Sequence, residues 1–145
     1  MSTALTNGIL VTVTTEYIPE RSSLSGRQFA FAYTVRISNQ GTATAQLKTR
    51  HWIITDADGQ IQEVRGEGVV GAQPTLRPGD DFEYTSWCVL GTPSGSMHGS
   101  YQMVTDGGEQ FDADGFLSQL ESEHRVKPEV RQRRGIGFQN PGNRP

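Results

Sequence analysis

An all-β chain folded as an antiparallel sandwich of about seven strands is predicted by three observations. Apolar residues recur with a period of two rather than 3.6, which places alternate side chains on one face of a strand. Short groups containing Gly, Asn, Asp or Pro separate these runs, as hairpins require. The third is size: 145 residues, 34% of them apolar, supply one core rather than two, and at this length that core needs no disulfide staples.

The strands can be justified in order. Residues 1–8 are small, polar and terminal and are expected to fray. Ile9, Val11, Val13 and Tyr17 then share one parity, followed by Phe29, Phe31, Tyr33, Val35 and Ile37. The run Leu47–Thr55 is apolar on both parities at Trp52, Ile53 and Ile54, the pattern of a central strand covered on both faces at one end. Trp52 is expected to be the largest anchor of the core. Phe82, Tyr84, Ser86 and Cys88 alternate next, then Met97, Tyr101 and Met103.

Punctuation between the runs is equally regular. Asp58-Gly59 and Asp106-Gly107-Gly108 suit tight primed hairpin turns, because these residues tolerate positive φ. Asn39-Gln40-Gly41 and Arg77-Pro78-Gly79-Asp80 supply two more turns, with Pro78-Gly79 fitted to the centre of a type II turn. Seven or so strands in roughly 110 residues indicate an immunoglobulin- or fibronectin type III-like sandwich. A small barrel is the alternative. One marginal helix is expected over Gly115–His124, with Asp114 as its N-cap and Phe116, Leu117, Leu120 and His124 along one stripe. The domain is therefore bounded at residues 9–117.

Charge divides the chain. Residues 1–117 carry 7 Lys/Arg and 13 Asp/Glu, net −6, while residues 118–145 carry 6 Lys/Arg and 3 Asp/Glu, net +3. The last stretch is rich in Arg, Gly and Pro and is expected to be a mobile basic tail. Its Arg125, Lys127, Arg131, Arg133, Arg134 and Arg144 could draw nucleic acid only weakly, since Phe138 alone interleaves as an aromatic. The longest apolar run, Phe29–Tyr33, is far short of the ~20 residues that span a membrane, and the first ten residues lack a signal-peptide pattern. A cytoplasmic protein without membrane contact is expected. The single Cys88 excludes a disulfide framework and a Cys-clustered zinc site.

Several segments together carry a family likeness. They are Phe31-Ala32-Tyr33-Thr34-Val35-Arg36-Ile37, Arg50-His51-Trp52-Ile53-Ile54-Thr55-Asp56-Ala57-Asp58-Gly59, and Glu63-Val64-Arg65-Gly66-Glu67-Gly68-Val69-Val70-Gly71-Ala72-Gln73-Pro74. Pro78-Gly79, Phe82–Ser86 and Gly95–Val104 continue it. Over approximately residues 9–111 the chain resembles the ApaG domain family. The resemblance implies a fibronectin III-like sandwich. It also implies stand-alone bacterial proteins named through an association with cobalt and magnesium resistance, and eukaryotic modules in F-box proteins and a DNA-polymerase-interacting protein, contexts that suggest protein binding. Two departures stand out. The family's closing segment Ile-Pro-x-Phe-x-Leu is replaced by Asp112-Ala113-Asp114-Gly115-Phe116-Leu117, and Trp87 stands where a small residue is common.

Few residues suggest chemistry. Gly66-Glu67-Gly68-Val69-Val70-Gly71 is a literal G-x-G-x-x-G. No helix follows it, so a dinucleotide site is not expected. Consecutive N–H groups in this loop, with its Gly66, Gly68 and Gly71 and helped by Arg65, could instead form an anion-binding nest for phosphate or pyrophosphate, or the glycines could simply let the chain cross between sheets. Asp56-x-Asp58-Gly59 lacks the glycine and short ligand of a calcium loop. His51 and His98, with Asp56, Asp80 or Asp81, could make a mixed site for a divalent cation; otherwise they are ordinary hydrogen-bonded or exposed histidines. Cys88 shares parity with Phe82 and Tyr84 and should be an inert core thiol. No G-x-S-x-G elbow is present, and Asp80-Asp81 falls in a turn. The expectation is a non-enzymatic protein-interaction module without a cofactor, the alternative a binder of a phosphate compound or a divalent cation.

Overall fold

The computed structural model describes residues 2–122, in which the period-two signal becomes nine strands in two antiparallel sheets. They are β1 (Ser2–Thr6), β2 (Ile9–Tyr17), β3 (Phe29–Asn39), β4 (Ala45–Asp56), β5 (Ile61–Glu67), β6 (Thr75–Leu76), β7 (Asp81–Leu90), β8 (Ser94–Thr105) and β9 (Gln110–Glu121). The first sheet runs β1-β2-β3-β7; the second runs β5-β4-β8-β9, with the short β6 paired to β4. A 3₁₀ turn at Pro19–Arg21 follows β2.

Register explains which parity faces inward. Val11 lies opposite Ile37 and Val13 opposite Val35; Val35 in turn faces Tyr84, and Phe31 faces Cys88. All of these are buried. Across the sandwich they meet Leu47, Trp52, Ile54, Met97, Tyr101 and Met103 from the second sheet. Trp52 is 1% exposed, with its ring 5.9 Å from Tyr33 and 6.2 Å from Tyr101 in an edge-on arrangement, a geometry aromatic pairs favour. It is the core anchor that its neighbours in sequence imply. Ile53 points the other way, half-covered between Glu63 and His98.

Three expectations are corrected. Residues 2–6 do not fray: they form β1, paired to β2 from Ser2 opposite Val13 to Thr6 opposite Ile9. The hairpin is made by Asn7 (φ 49°) and Gly8 (φ 82°), an Asn-Gly pair suited to a primed turn. The segment expected to begin a helix at Gly115 is extended backbone. It belongs to β9, which pairs with β8 from Val104–Gln110 to Ser94–Glu121. Buried Ser118 and Leu120 flank exposed Gln119, a period of two, and the long β8 ladder outweighs the short helical stripe. His124 and the basic tail lie outside the described residues. The sandwich therefore spans 2–121 rather than 9–117, and its strand count is nine rather than seven.

The turns also differ in kind. Asp58-Gly59 and Gly107-Gly108 each end a three-residue loop, closed by Asp56 N donating to Gln60 O (2.9 Å) and Thr105 N to Glu109 O (2.8 Å). Positive φ is confined there to Gly59 and Gly108, the three-residue loop pattern with glycine in its last position. Arg77–Asp80 is the expected type II turn, with Gly79 at φ 92° and Asp80 N bonded to Arg77 O at 2.9 Å. Buried Asn39 pins the next connection: its Nδ2 donates to Ala43 O and Leu76 O, and its Oδ1 accepts from Gly41 N.

Candidate functional site

Three of the residues singled out by the sequence, His51, His98 and Arg65, lie on the outer face of the second sheet. Because strand side chains alternate, the residues opposite in parity to Trp52 and Val64 project outward: Thr49 and His51 on β4, Glu63 and Arg65 on β5, Ser100 and Gln102 on β8. Rows across the strands follow from register. Arg65, His51 and Ser100 form one; Glu67, Thr49, Gln102 and Asp112 form the next.

These rows are joined by hydrogen bonds. His51 Nε2 lies 2.6 Å from Glu63 Oε2, and Arg65 Nε donates to the same oxygen at 3.0 Å. Thr49 Oγ1 donates to Gln102 Oε1 (2.7 Å), whose Nε2 donates to Ser100 Oγ (2.9 Å). The His51 hydrogen bond, and then Arg65, hold the Glu63 carboxyl below the usual carboxylate range. Between the two networks runs a groove of about 630 Å³ lined by Thr49, Arg50, His51, Arg65, Gly66, Glu67, Ser100, Gln102 and Asp112. It offers hydrogen-bonding groups of both charges.

Arg50 is the residue that sequence reasoning missed. It shares the inward parity of Trp52 and is half-buried in the middle of β4, and its Nη1 donates to Glu67 O (3.2 Å) and Gly68 O (2.8 Å). Gly66 makes this possible: a Cβ there would meet the guanidinium at 2.8 Å. Gly68, at φ 64°, passes so close to Ala72 that a Cβ would fall 2.1 Å from its carbonyl oxygen. Gly71 (φ 82°) and Val70 (φ 43°) form a tight turn closed by Val69 N to Ala72 O and Ala72 N to Val69 O. Gly68 N is bonded to Lys48 O. The G-x-G-x-x-G is thus a chain crossing: it turns carbonyls toward the half-buried Arg50 and seats fully buried Val69 in the core, while its bonded N–H groups serve carbonyls. Of the anion-nest residues, Arg65 and Gly66 reach the groove, whereas Gly68 and Gly71 do not line it.

The other candidates are dispersed. His51 and His98 share the outer face, on neighbouring strands, but His51 faces Ser100 while His98 faces Ile53. Asp56 Oδ1 accepts from Asp58 N and Gln60 N, which closes a hairpin loop. Asp80 and Asp81 lie at the first sheet, bonded to Arg77 (3.2 Å) and Arg36 (2.5 Å). Among the described residues no three His, Cys, Asp or Glu side chains gather to hold a metal ion. Cys88 is buried, and burial pushes its thiol up to about 11. Tyr84, hydrogen-bonded to the Tyr101 hydroxyl inside the core, is pushed by burial to about 12. Among the described residues no helix is long and apolar enough to cross a membrane.

Two stacked antiparallel sheets with Greek-key order, an aromatic core and a polar outer face define a fibronectin III-like sandwich. The chain belongs to the ApaG domain family, whose model matches residues 19–105. It is 63% identical over 113 residues to Protein ApaG of Anaeromyxobacter sp. (strain K), covering 78% of this chain and 89% of the relative. It is 58% identical over 114 residues to Protein ApaG of Rhodopseudomonas palustris (strain TIE-1), covering 79% and 88%. The crystal structure of a Bordetella pertussis protein assigned as ApaA superposes with a TM-score of 0.77 at 49% identity, over 81% of this chain and 96% of that one.

Proposed function

We propose that the chain is a non-enzymatic, cytoplasmic protein-interaction module that receives an extended segment of a partner protein along β7. The observation that carries this reading is the surface of that strand. Trp87 and Val89, adjacent on its outward parity, are 51% and 48% exposed. Beside them Ile18, Ala30 and Ala32 form a small buried cluster, and the Arg21 guanidinium lies 5.0 Å from the centre of the Trp87 ring. As the last strand of the first sheet, β7 leaves one row of backbone groups for an added strand, and a half-exposed tryptophan beside an arginine supplies an anchor. On this reading the family's association with cobalt and magnesium resistance is exerted through the partner. Pull-down with the wild-type chain should recover a stoichiometric protein that Trp87→Ala and Val89→Lys both lose. Recovery by both variants, or no partner from the wild type, would count against it.

A second reading rests on the groove, which brings Arg65, Gly66 and His51 together. It would bind a small phosphate-bearing compound or a divalent cation. A thermal-shift screen with pyrophosphate, nucleotides, Mg²⁺ and Co²⁺ separates the two: only a ligand that prefers the folded state raises the melting temperature.

A further inference from the structure

The margin of the second sheet presents a different surface. β5 ends that sheet, and its sequence Ile61-Gln62-Glu63-Val64-Arg65-Gly66-Glu67 alternates in charge on the outward parity. Backbone direction follows from the hairpin. Asp56 N is bonded to Gln60 O at 2.9 Å, so Gln60 faces β4. Alternation along the strand then directs the N–H and C=O of Gln62, Val64 and Gly66 to β4, and those of Ile61, Glu63 and Arg65 to the open edge. The side chains of Glu63 and Arg65 stand on the outer face, 47% and 70% exposed.

We propose that β5 pairs antiparallel with the β5 of a second copy of this chain, about a two-fold axis through Val64. That register sets Glu63 opposite Arg65 of the second copy and Arg65 opposite Glu63 of the second copy. Both pairs consist of edge-facing residues, so they exchange about four backbone hydrogen bonds. Each Glu63, already 3.0 Å from its own Arg65, then lies between two arginines. The neighbouring registers are opposed by charge: an axis through Arg65 sets Arg65 on itself and Glu63 against Glu67, and one through Glu63 sets Glu63 on itself. Glu67 stands outside the pairing because its carbonyl is taken by Arg50. The contact is isologous and joins two four-strand ladders into one continuous sheet.

The same alternation singles out β5 over β7. Two copies of β7 have no basic residue to set against Asp81 and Glu83, and the Val89 carbonyl accepts from Gln62 Nε2 at 2.8 Å. The β5 contact is separate from the reading of β7 as a partner site, and Trp87→Ala should leave it intact.

Sedimentation of the full chain from low to high micromolar concentration tests it. A reversible dimer is expected. Glu63→Arg and Arg65→Glu, each folded by thermal unfolding, should weaken it by about tenfold or more, and the double variant E63R/R65E should recover it. Mixing the two single variants should produce a heterodimer, because each supplies the charge that the other lacks. Arg65→Pro, which removes an edge donor and spares the β4 ladder, should also leave monomer. A monomer at every concentration overturns the proposal. So does a dimer unmoved by the single reversals and by proline, or a failure of the mixed variants to associate.

Discussion

The two lateral margins of the sandwich differ in how the sheets meet. At one, β1 and β2 pack on β9, Ser2 Oγ and Ser118 Oγ are 2.9 Å apart, and Thr15 Oγ1 donates to Gln119 O at 3.0 Å. At the other, β5 and β7 approach through Gln62 and the Val89 carbonyl, with Trp87, Val89 and Ile61 left exposed. Both margins end in strand edges, but the first is crossed by two side-chain hydrogen bonds with Leu5 exposed, whereas the second is crossed by one and exposes a tryptophan. The two sides of a shared core are thereby closed by different kinds of contact.

The largest test removes what both margins share. Trp52→Ala should cost about 3–5 kcal/mol, seen as a fall in the urea midpoint, and should loosen both sides alike. Arg50→Ala acts on the open side only. It leaves the Glu67 and Gly68 carbonyls without their donor, a loss of roughly 1–3 kcal/mol, and amide exchange should rise over residues 66–72 while β1 and β9 stay protected. A similar rise in both regions would show that the margins are coupled.

Alkaline titration probes the core between them. Cys88 and Tyr84 are held protonated by burial, up to about 11 and about 12 from ordinary values of 9.0 and 10.0. Above pH 9 the unfolded chain sheds these protons first, so it binds fewer protons than the folded chain and stability falls as pH rises. Below pH 9 this contribution is fully present. The melting temperature should drop between pH 9 and 11, and Cys88→Ala should flatten the lower part of that drop. On the sealed side, Ser118→Ala should cost only about 0.5–1.5 kcal/mol, with faster exchange confined to β1. Smallest of all, Glu63→Gln on the open side should leave the urea midpoint nearly unmoved, because an exposed ion pair is screened by solvent; a clear loss would make the His51–Glu63–Arg65 network structural.

Much of this was legible in the chain and some was not, for physical reasons. Strands β3, β7 and β8 carry their inward parity openly, so Val35, Tyr84 and Met103 could be placed in the core from spacing alone. β1 is marked by Asn7-Gly8, a hairpin signal in a stretch otherwise read as a terminus. In β9, Phe116, Leu117 and Leu120 mimic a helical stripe, and only the pairing with β8, a contact formed through the fold, decides for strand. The glycine motif reads alike for an N–H nest or a chain crossing. What separates them is Arg50, 16 residues upstream, whose partners are backbone carbonyls that no sequence pattern displays. The groove likewise takes residues from β4, β5, β8 and β9, and only register brings them together.

The place of β5 at the end of its sheet bears on how far association through it could extend. A ribbon of sandwiches would need an adhesive border at each flank so that every newcomer offers a fresh one. A two-fold pair of β5 strands offers no such second border: each molecule spends its own β5 on the other's, so neither keeps a β5 edge for a third, and growth toward a filament through this contact stops at two.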